Sequence, residues 1–120
     1  MKTISKISLL TLFMALLSLT PASAQSETDT TLIVNGVCQM CKRTIENAAY
    51  IKGVSKAEWD VENKVLTLTY NTGETSLEEI NTSINESGYD TEINTASEDA
   101  YNSLHKCCHY RDPEVVKDHQ

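Results

Sequence analysis

An α+β fold of the ferredoxin-like kind, βαββαβ followed by a C-terminal helical extension, is what this 120-residue sequence predicts. Three observations lead there. Runs rich in β-branched and apolar residues recur at residues 31–34, 54–61, 64–70 and 89–93. Two stretches with helical apolar spacing, 39–52 and the segment after Ser76, fall between them. Gly36, Gly53, Gly73 and Gly88 mark the joints.

Taken in order, Thr31-Leu32-Ile33-Val34 reads as a first strand closed by Asn35-Gly36, which delivers Cys38 to a loop. Residues 25–30 are polar and aperiodic and read as a flexible leader. From 39 to 52 no glycine or proline interrupts the chain, and Cys41, Ile45, Ala48, Ala49 and Lys52 share one helical face until Gly53 ends it. Residues 54–61 and 64–70 form a hairpin turning at Glu62-Asn63, with Val65, Thr67 and Thr69 on one side and Leu66, Leu68 and Tyr70 on the other. Thr75 or Ser76 caps a second helix, whose buried stripe is Leu77, Ile80 and Ile84 and whose positive end holds Glu78 and Glu79. Gly88 closes that helix, and 89–93 form a fourth strand, completing a domain at 31–94. Residues 95–120 are the extension, in which Thr95 and Glu98 suit a capping box and a helix runs to Arg111 until Pro113 stops it.

Residues 1–24 read as an address and not as structure. Lys2 and Lys6 precede an apolar run over 7–19, and Ala22-Ser23-Ala24 has the small-x-small pattern that signal peptidase cuts. The apolar run is shorter than the roughly 20 residues a membrane span needs, and Ser8, Thr11, Ser18 and Thr20 dilute it. No cysteine lies at the expected cut, so lipid attachment there is not expected, nor membrane anchoring after cleavage; Gln25 becomes the new N-terminus. Lys2 and Lys6 are two of the 10 basic residues, so the remainder carries 8 against 17 acidic and a formal charge of −9 in place of −7. Such a chain is a poor partner for nucleic acid or anionic lipid. A monomer is expected.

All four cysteines lie in two short clusters, Cys38/Cys41 and Cys107/Cys108, and His105 and His109 flank the second. Secretion makes disulfides permissible, but pairing Cys38 with Cys41 closes almost no loop and pairing Cys107 with Cys108 is strained; only a bond between the clusters is a useful staple.

Two cysteines two residues apart, on a loop entering a helix, aim both sulfurs at one ion, and the helix N-terminus favours their thiolate form. Two thiolates suit a soft d¹⁰ ion: Cu(I) foremost, with Ag(I), Hg(II), Zn(II) or Cd(II) as further candidates, although structural Zn(II) recruits four ligands. The same C-x-x-C spacing also serves thiol–disulfide exchange, so an oxidoreductase or redox sensor is the competing reading. Against it, thioredoxin-like enzymes carry a cis-proline opposite the cysteines, whereas the one proline after residue 24 is Pro113; Val37 stands where an aromatic would precede the first cysteine. Ordinary hydrolase or transferase chemistry is not expected, because no serine sits in a nucleophile elbow, no glycine loop suits phosphate, and Asp60, Glu62 and Glu78 form no recognisable catalytic pair. Trp59, Tyr50 and Tyr70 read as packing residues.

Val34-Asn35-Gly36-Val37-Cys38-Gln39-Met40-Cys41-Lys42, with Thr44-Ile45-Glu46 and Gly53-Val54 behind it, resembles the heavy-metal-associated domain of copper chaperones, metal-pumping ATPases and periplasmic mercuric-ion-binding proteins. The resemblance implies a ferredoxin-like fold, an exposed metal loop with Cys38 and Cys41 as ligands, and a non-enzymatic carrier. For such a carrier the expected partner is a membrane metal exporter or a cuproprotein, which receives the ion by ligand exchange. Gly88-Tyr89 falls where the family places a glycine and an aromatic or basic residue beside that loop, so Tyr89 either shields the site or packs on the core. The family's Gly-Met-x-Cys is here Gly36-Val37-Cys38 with Asn35 before it, so the customary packing methionine is missing; Met40 either fills its space or lends a thioether. More narrowly, the chain resembles secreted single-domain proteins of Bacteroidetes-type bacteria that carry a tail like residues 101–110, which implies a periplasmic location.

If that tail is helical, His105, Cys108 and His109 share one face while Cys107 turns about 100° away. They then form a second site, complete the Cys38/Cys41 site by folding over it, or are simply buried thiols and surface imidazoles. His119, in the polar end, reads as surface.

Overall fold

The computed structural model describes residues 26–120; the signal peptide expected at 1–24 and its cut before Gln25 lie outside them. The elements are β1 (Glu27–Ile33), α1 (Gln39–Ala49), β2 (Val54–Trp59), β3 (Val65–Asn71), α2 (Leu77–Glu86), α3 (Glu98–Asn102), a 3₁₀ turn (Lys106–Cys108) and α4 (Pro113–Asp118). This is the α+β, ferredoxin-like arrangement, with a three-stranded antiparallel sheet ordered β1-β3-β2 and helices packed on it. No helix among the described residues is long and apolar enough to cross a membrane.

The sheet starts earlier than the sequence indicated. Residues 27–30, expected to be a loose leader, extend β1, with Glu27 opposite Asn71 and Asp29 opposite Thr69. Thr69 donates its hydroxyl to Asp29 at 2.7 Å, and Ser26 and Thr72 hydroxyls meet at 3.0 Å. Polar residues thus supply cross-strand pairs that a search for apolar alternation passes over.

The fourth strand does not form. Residues 89–93 reach β1's end through one bridge, Val34 to Thr91. Asn35 N–H donates to Asp90 O and Glu92 N–H to Ile33 O, as a ladder requires. However, the Ile33 N–H goes to the Glu92 carboxylate at 2.9 Å, the Thr91 N–H turns back to Asn94 O, and the Thr91 hydroxyl donates to buried Asn81. Side chains consume the groups that would have continued the ladder.

Between sheet and helices lies a core of Leu32, Val34, Ile45, Ala49, Trp59, Leu66, Leu68, Ile80, Ile84 and Tyr89, all with at most 1% exposure. Ser76 caps α2, accepting from Glu79 N–H at 3.2 Å. Trp59 locks the loop ahead of Cys38: its indole N–H donates to Val34 O at 3.0 Å, and its ring edge covers Gly36, where an added Cβ would stand 2.9 Å from Cη2. Tyr50 is exposed and Tyr70 half-buried.

The tail is not one long helix. Ser97, not Thr95, caps α3, which spans only five residues; the chain then breaks at Ser103-Leu104, tightens into the 3₁₀ turn, and begins α4 at Pro113. The proline expected to stop a helix opens one, since its missing N–H costs nothing at a first turn. What the tail gains from breaking is an aromatic and ionic clasp on the domain. The Tyr110 ring stacks on Tyr89 (centroids 5.6 Å apart), while its hydroxyl donates to Gly88 O and accepts from Asp90 N–H, both at 2.8 Å. Gly88, at φ 109°, lets Ala100 and Leu104 approach, for a Cβ there would lie 2.8 Å from Ala100 O. Arg111 grips Asp90 with two N–H groups at 2.7 and 3.1 Å and lies over the Tyr101 ring, 4.2 Å from its centroid.

Burial pushes the Asp90 carboxyl up, but hydrogen bonds from Arg111 and Ala96 N–H outweigh it, leaving its pKa below the ordinary value. A depressed carboxylate stabilises the folded form fully above its unfolded pKa of about 4, and that contribution is lost as pH falls through the folded value. The clasp is therefore expected to hold at neutral pH and to loosen below about pH 4. Hydrogen exchange of residues 98–111 measured against pH will show this as protection lost on the acid side, and Arg111→Ala will weaken the clasp by about 2 kcal/mol at neutral pH.

Candidate metal centre

Cys38 is the N-cap of α1, with extended backbone (φ −147°, ψ 175°), and Cys41 lies in the first turn. Nothing else caps this helix end, so its free N–H groups face the sulfur region. Lys42 anchors the helix to β2, donating to Glu46 at 2.6 Å and to Trp59 O at 2.9 Å, while Glu46 accepts from Trp59 N–H at 2.9 Å. The Cys38 and Cys41 sulfurs stand 3.4 Å apart, the first half-buried and the second fully buried in the core.

The tail delivers a third sulfur. Cys108 Sγ lies 3.7 Å from Cys38 Sγ, and the three sulfurs of Cys38, Cys41 and Cys108 are all within 4.8 Å of one another. Cys108 is 2% exposed. All four cysteines are free thiols, with sulfurs well beyond the bond length of about 2.05 Å.

The remaining expected ligands divide otherwise. Cys107 is exposed, its sulfur 4.0 Å from Cys108 Sγ and 3.9 Å from Met40 Sδ. Met40 is 44% exposed, so it does not pack into the core in place of the missing loop methionine; around Gly36, which stands at that methionine's position, the Trp59 and Ile45 side chains close in. His105, Cys108 and His109 do not share a helical face, because the segment is a 3₁₀ turn flanked by non-helical residues. His105 is exposed, and His109 pairs a ring nitrogen with Leu104 O at 3.0 Å while its ring lies against Tyr101. Neither imidazole joins the sulfur cluster. Tyr89 packs in the core, fully buried, with the thiols of Cys41 and Cys108 beside it.

Electrostatics differentiate the thiols. Partial burial pushes the Cys38 thiol up, but the Cys41 N–H, the thiols of Cys41 and Cys108 and the Met40 N–H outweigh this and bring it below the usual thiol range. Burial, reinforced by Cys41, pushes the Cys108 thiol well up. Cys38 thus offers a thiolate more readily than Cys108 does.

The heavy-metal-associated domain family matches residues 31–90. The chain belongs to this family. Solved structures agree. The CopZ metallochaperone is 29% identical, covering 53% of this chain and 98% of its own, with a TM-score of 0.51. Oxidized MerP from Ralstonia metallidurans CH34 is 26% identical, covering 56% and 96%, with a TM-score of 0.53. A Bacillus anthracis solution structure, 24% identical and covering 57% and 100% with a TM-score of 0.54, shares the fold. A search of curated proteins gave no match. This heavy-metal-associated domain therefore supports metal binding as its role, and the tail that carries Cys108 lies outside the matched residues.

Sequence reasoning had no means of finding the Arg111–Asp90 clasp; it set Cys107 apart from Cys108, as the structure does, but on a helical face that Cys108 would have shared with both histidines. Adjacent residues on a 3₁₀ turn diverge, so one sulfur faces in and one out, whereas the long helix expected from the sequence would have aligned Cys108 with both histidines.

Proposed function

We propose that this protein is a periplasmic, non-enzymatic carrier that captures a soft ion, Cu(I) foremost, through Cys38 and Cys41 and hands it on by ligand exchange to a membrane metal exporter or a cuproprotein. The observation that carries the reading is the close sulfur pair at the uncapped N-terminus of α1, with the Cys38 thiol below its usual range. Thiolates are soft donors, and their number and spacing favour low-coordinate d¹⁰ ions over Mg(II)- or Ca(II)-type partners. The family's heavy-metal association, and the likeness to the CopZ metallochaperone and to MerP, support it. The periplasmic location rests on residues 1–24 as a cleaved signal peptide.

A thiol–disulfide oxidoreductase using the same pair is the rival. The low-lying Cys38 thiol and the 3.4 Å separation favour it. Against it, Pro113 opens α4, and no peptide bond among the described residues is cis. Two assays on the reduced protein separate the readings. The carrier passes bound Cu(I) to a dithiol acceptor peptide and gives no turnover with insulin or glutathione disulfide; catalytic turnover without Cu(I) retention would establish the rival.

A further inference from the structure

We infer that the C-terminal tail belongs to the metal site: Cys108 supplies a third thiolate to the Cys38/Cys41 pair, so the ion sits in a three-sulfur nest beneath the docked tail. This rests on the carrier reading and extends it to coordination number, selectivity and release.

Two sulfurs binding an ion linearly at about 2.3 Å each stand about 4.6 Å apart, whereas an ion centred among three holds each pair about 4.0 Å apart. Cys38 lies 3.4 Å from Cys41 and 3.7 Å from Cys108, which is too close for a linear pair and near a three-sulfur set. Tyr89 points the same way. Its hydroxyl is buried without a hydrogen-bond partner, and the groups it faces are the thiols of Cys41 and Cys108. An orphaned buried hydroxyl is unfavourable, and a thiolate at either position would accept a hydrogen bond from it. Three thiolates around Cu(I) leave two excess negative charges, and the Tyr89 O–H together with the free N–H groups of Met40 and Cys41 are the donors placed to offset them.

The nest also discriminates. Neither histidine of the tail reaches the cluster, and Cys107 stands outside the set of mutually close sulfurs. Among the described residues there are three ligands and no fourth, which suits Cu(I) and Hg(II) and leaves Zn(II) one short of its tetrahedral set. Because Cys108 travels with the clasp of Tyr110 and Arg111, metal affinity and tail docking are reciprocally linked. Release of the ion then requires the tail to lift.

X-ray absorption on the full chain loaded anaerobically with one equivalent of Cu(I), at monomer concentrations, tests this without any variant. Three sulfur neighbours per copper are expected; two would overturn the third thiolate while leaving the carrier standing, and no retained copper would sink both. Cys108→Ser is expected to show two sulfurs and at least a tenfold to hundredfold weaker Cu(I) affinity, the range that loss of even an outer partner produces. Cys107→Ser should match the wild type. In the same samples, hydrogen exchange at residues 104–110 should slow by tenfold or more on loading the wild type and stay unchanged on loading Cys108→Ser. An unchanged coordination number and affinity in Cys108→Ser would refute the inference.

Discussion

Replacing both Cys38 and Cys41 with serine is expected to abolish soft-metal retention, taking the stoichiometry from about one Cu(I) per chain to none against a competing chelator. A four-ligand thiolate–imidazole site is worth roughly 10–16 kcal/mol, or about 2.5–4 per ligand, so losing two should weaken binding by roughly several thousandfold or more. Cys41 is completely buried, and a serine there places a hydroxyl in the core at a cost of about 1–3 kcal/mol. Far-ultraviolet circular dichroism on the same sample separates lost ligands from lost structure. Cys38→Ser alone, at a half-buried cap position, should keep the fold and still lose most of the affinity.

Trp59→Ala should be the most damaging single change to stability. The ring is 1% exposed, covers Gly36, and donates to Val34 O, so its removal opens a cavity and orphans a buried carbonyl. Large aromatic truncations of this kind cost about 3–5 kcal/mol. Against a total stability of about 5–15 kcal/mol, that fraction lowers the melting temperature by at least about 12 °C in a domain this small. The loss also reaches the site, because the Val34–Gly36 segment that Trp59 pins leads directly into Cys38. Differential scanning calorimetry of the reduced protein measures it, and a drop of only a few degrees would mean that the loop is held by something else.

What the sequence disclosed and what it withheld follow from the range of each interaction. Strand–helix alternation, the buried stripes Cys41/Ile45/Ala49 and Ile80/Ile84, and the hairpin across β2 and β3 are periodic, local signals, and they were legible. Cys38 and Cys41 were legible for the same reason, being two ligands on one turn. The tail was not. Its capping and helix length were misjudged because Thr95/Glu98 and Ser97 offer competing local starts, and tertiary contacts at Gly88 and Asp90 decide between them. The missing fourth strand has a similar origin, in side chains of Asn81 and Glu92 that claim backbone partners from outside the segment. That Cys108 would enter the sulfur cluster and the histidines would not depends on where a 3₁₀ turn docks some seventy residues from Cys38, and no periodicity encodes this.

Anaerobic titration of the reduced full chain with Cu(I), in competition with a chromophoric Cu(I) chelator and repeated with Zn(II), tests the central claim most directly. The account predicts one tightly held Cu(I) per chain, abolished in the Cys38→Ser/Cys41→Ser variant, with Zn(II) unable to displace it. Copper lost to the chelator at the first equivalent, or retained equally by the double-serine variant, would contradict it.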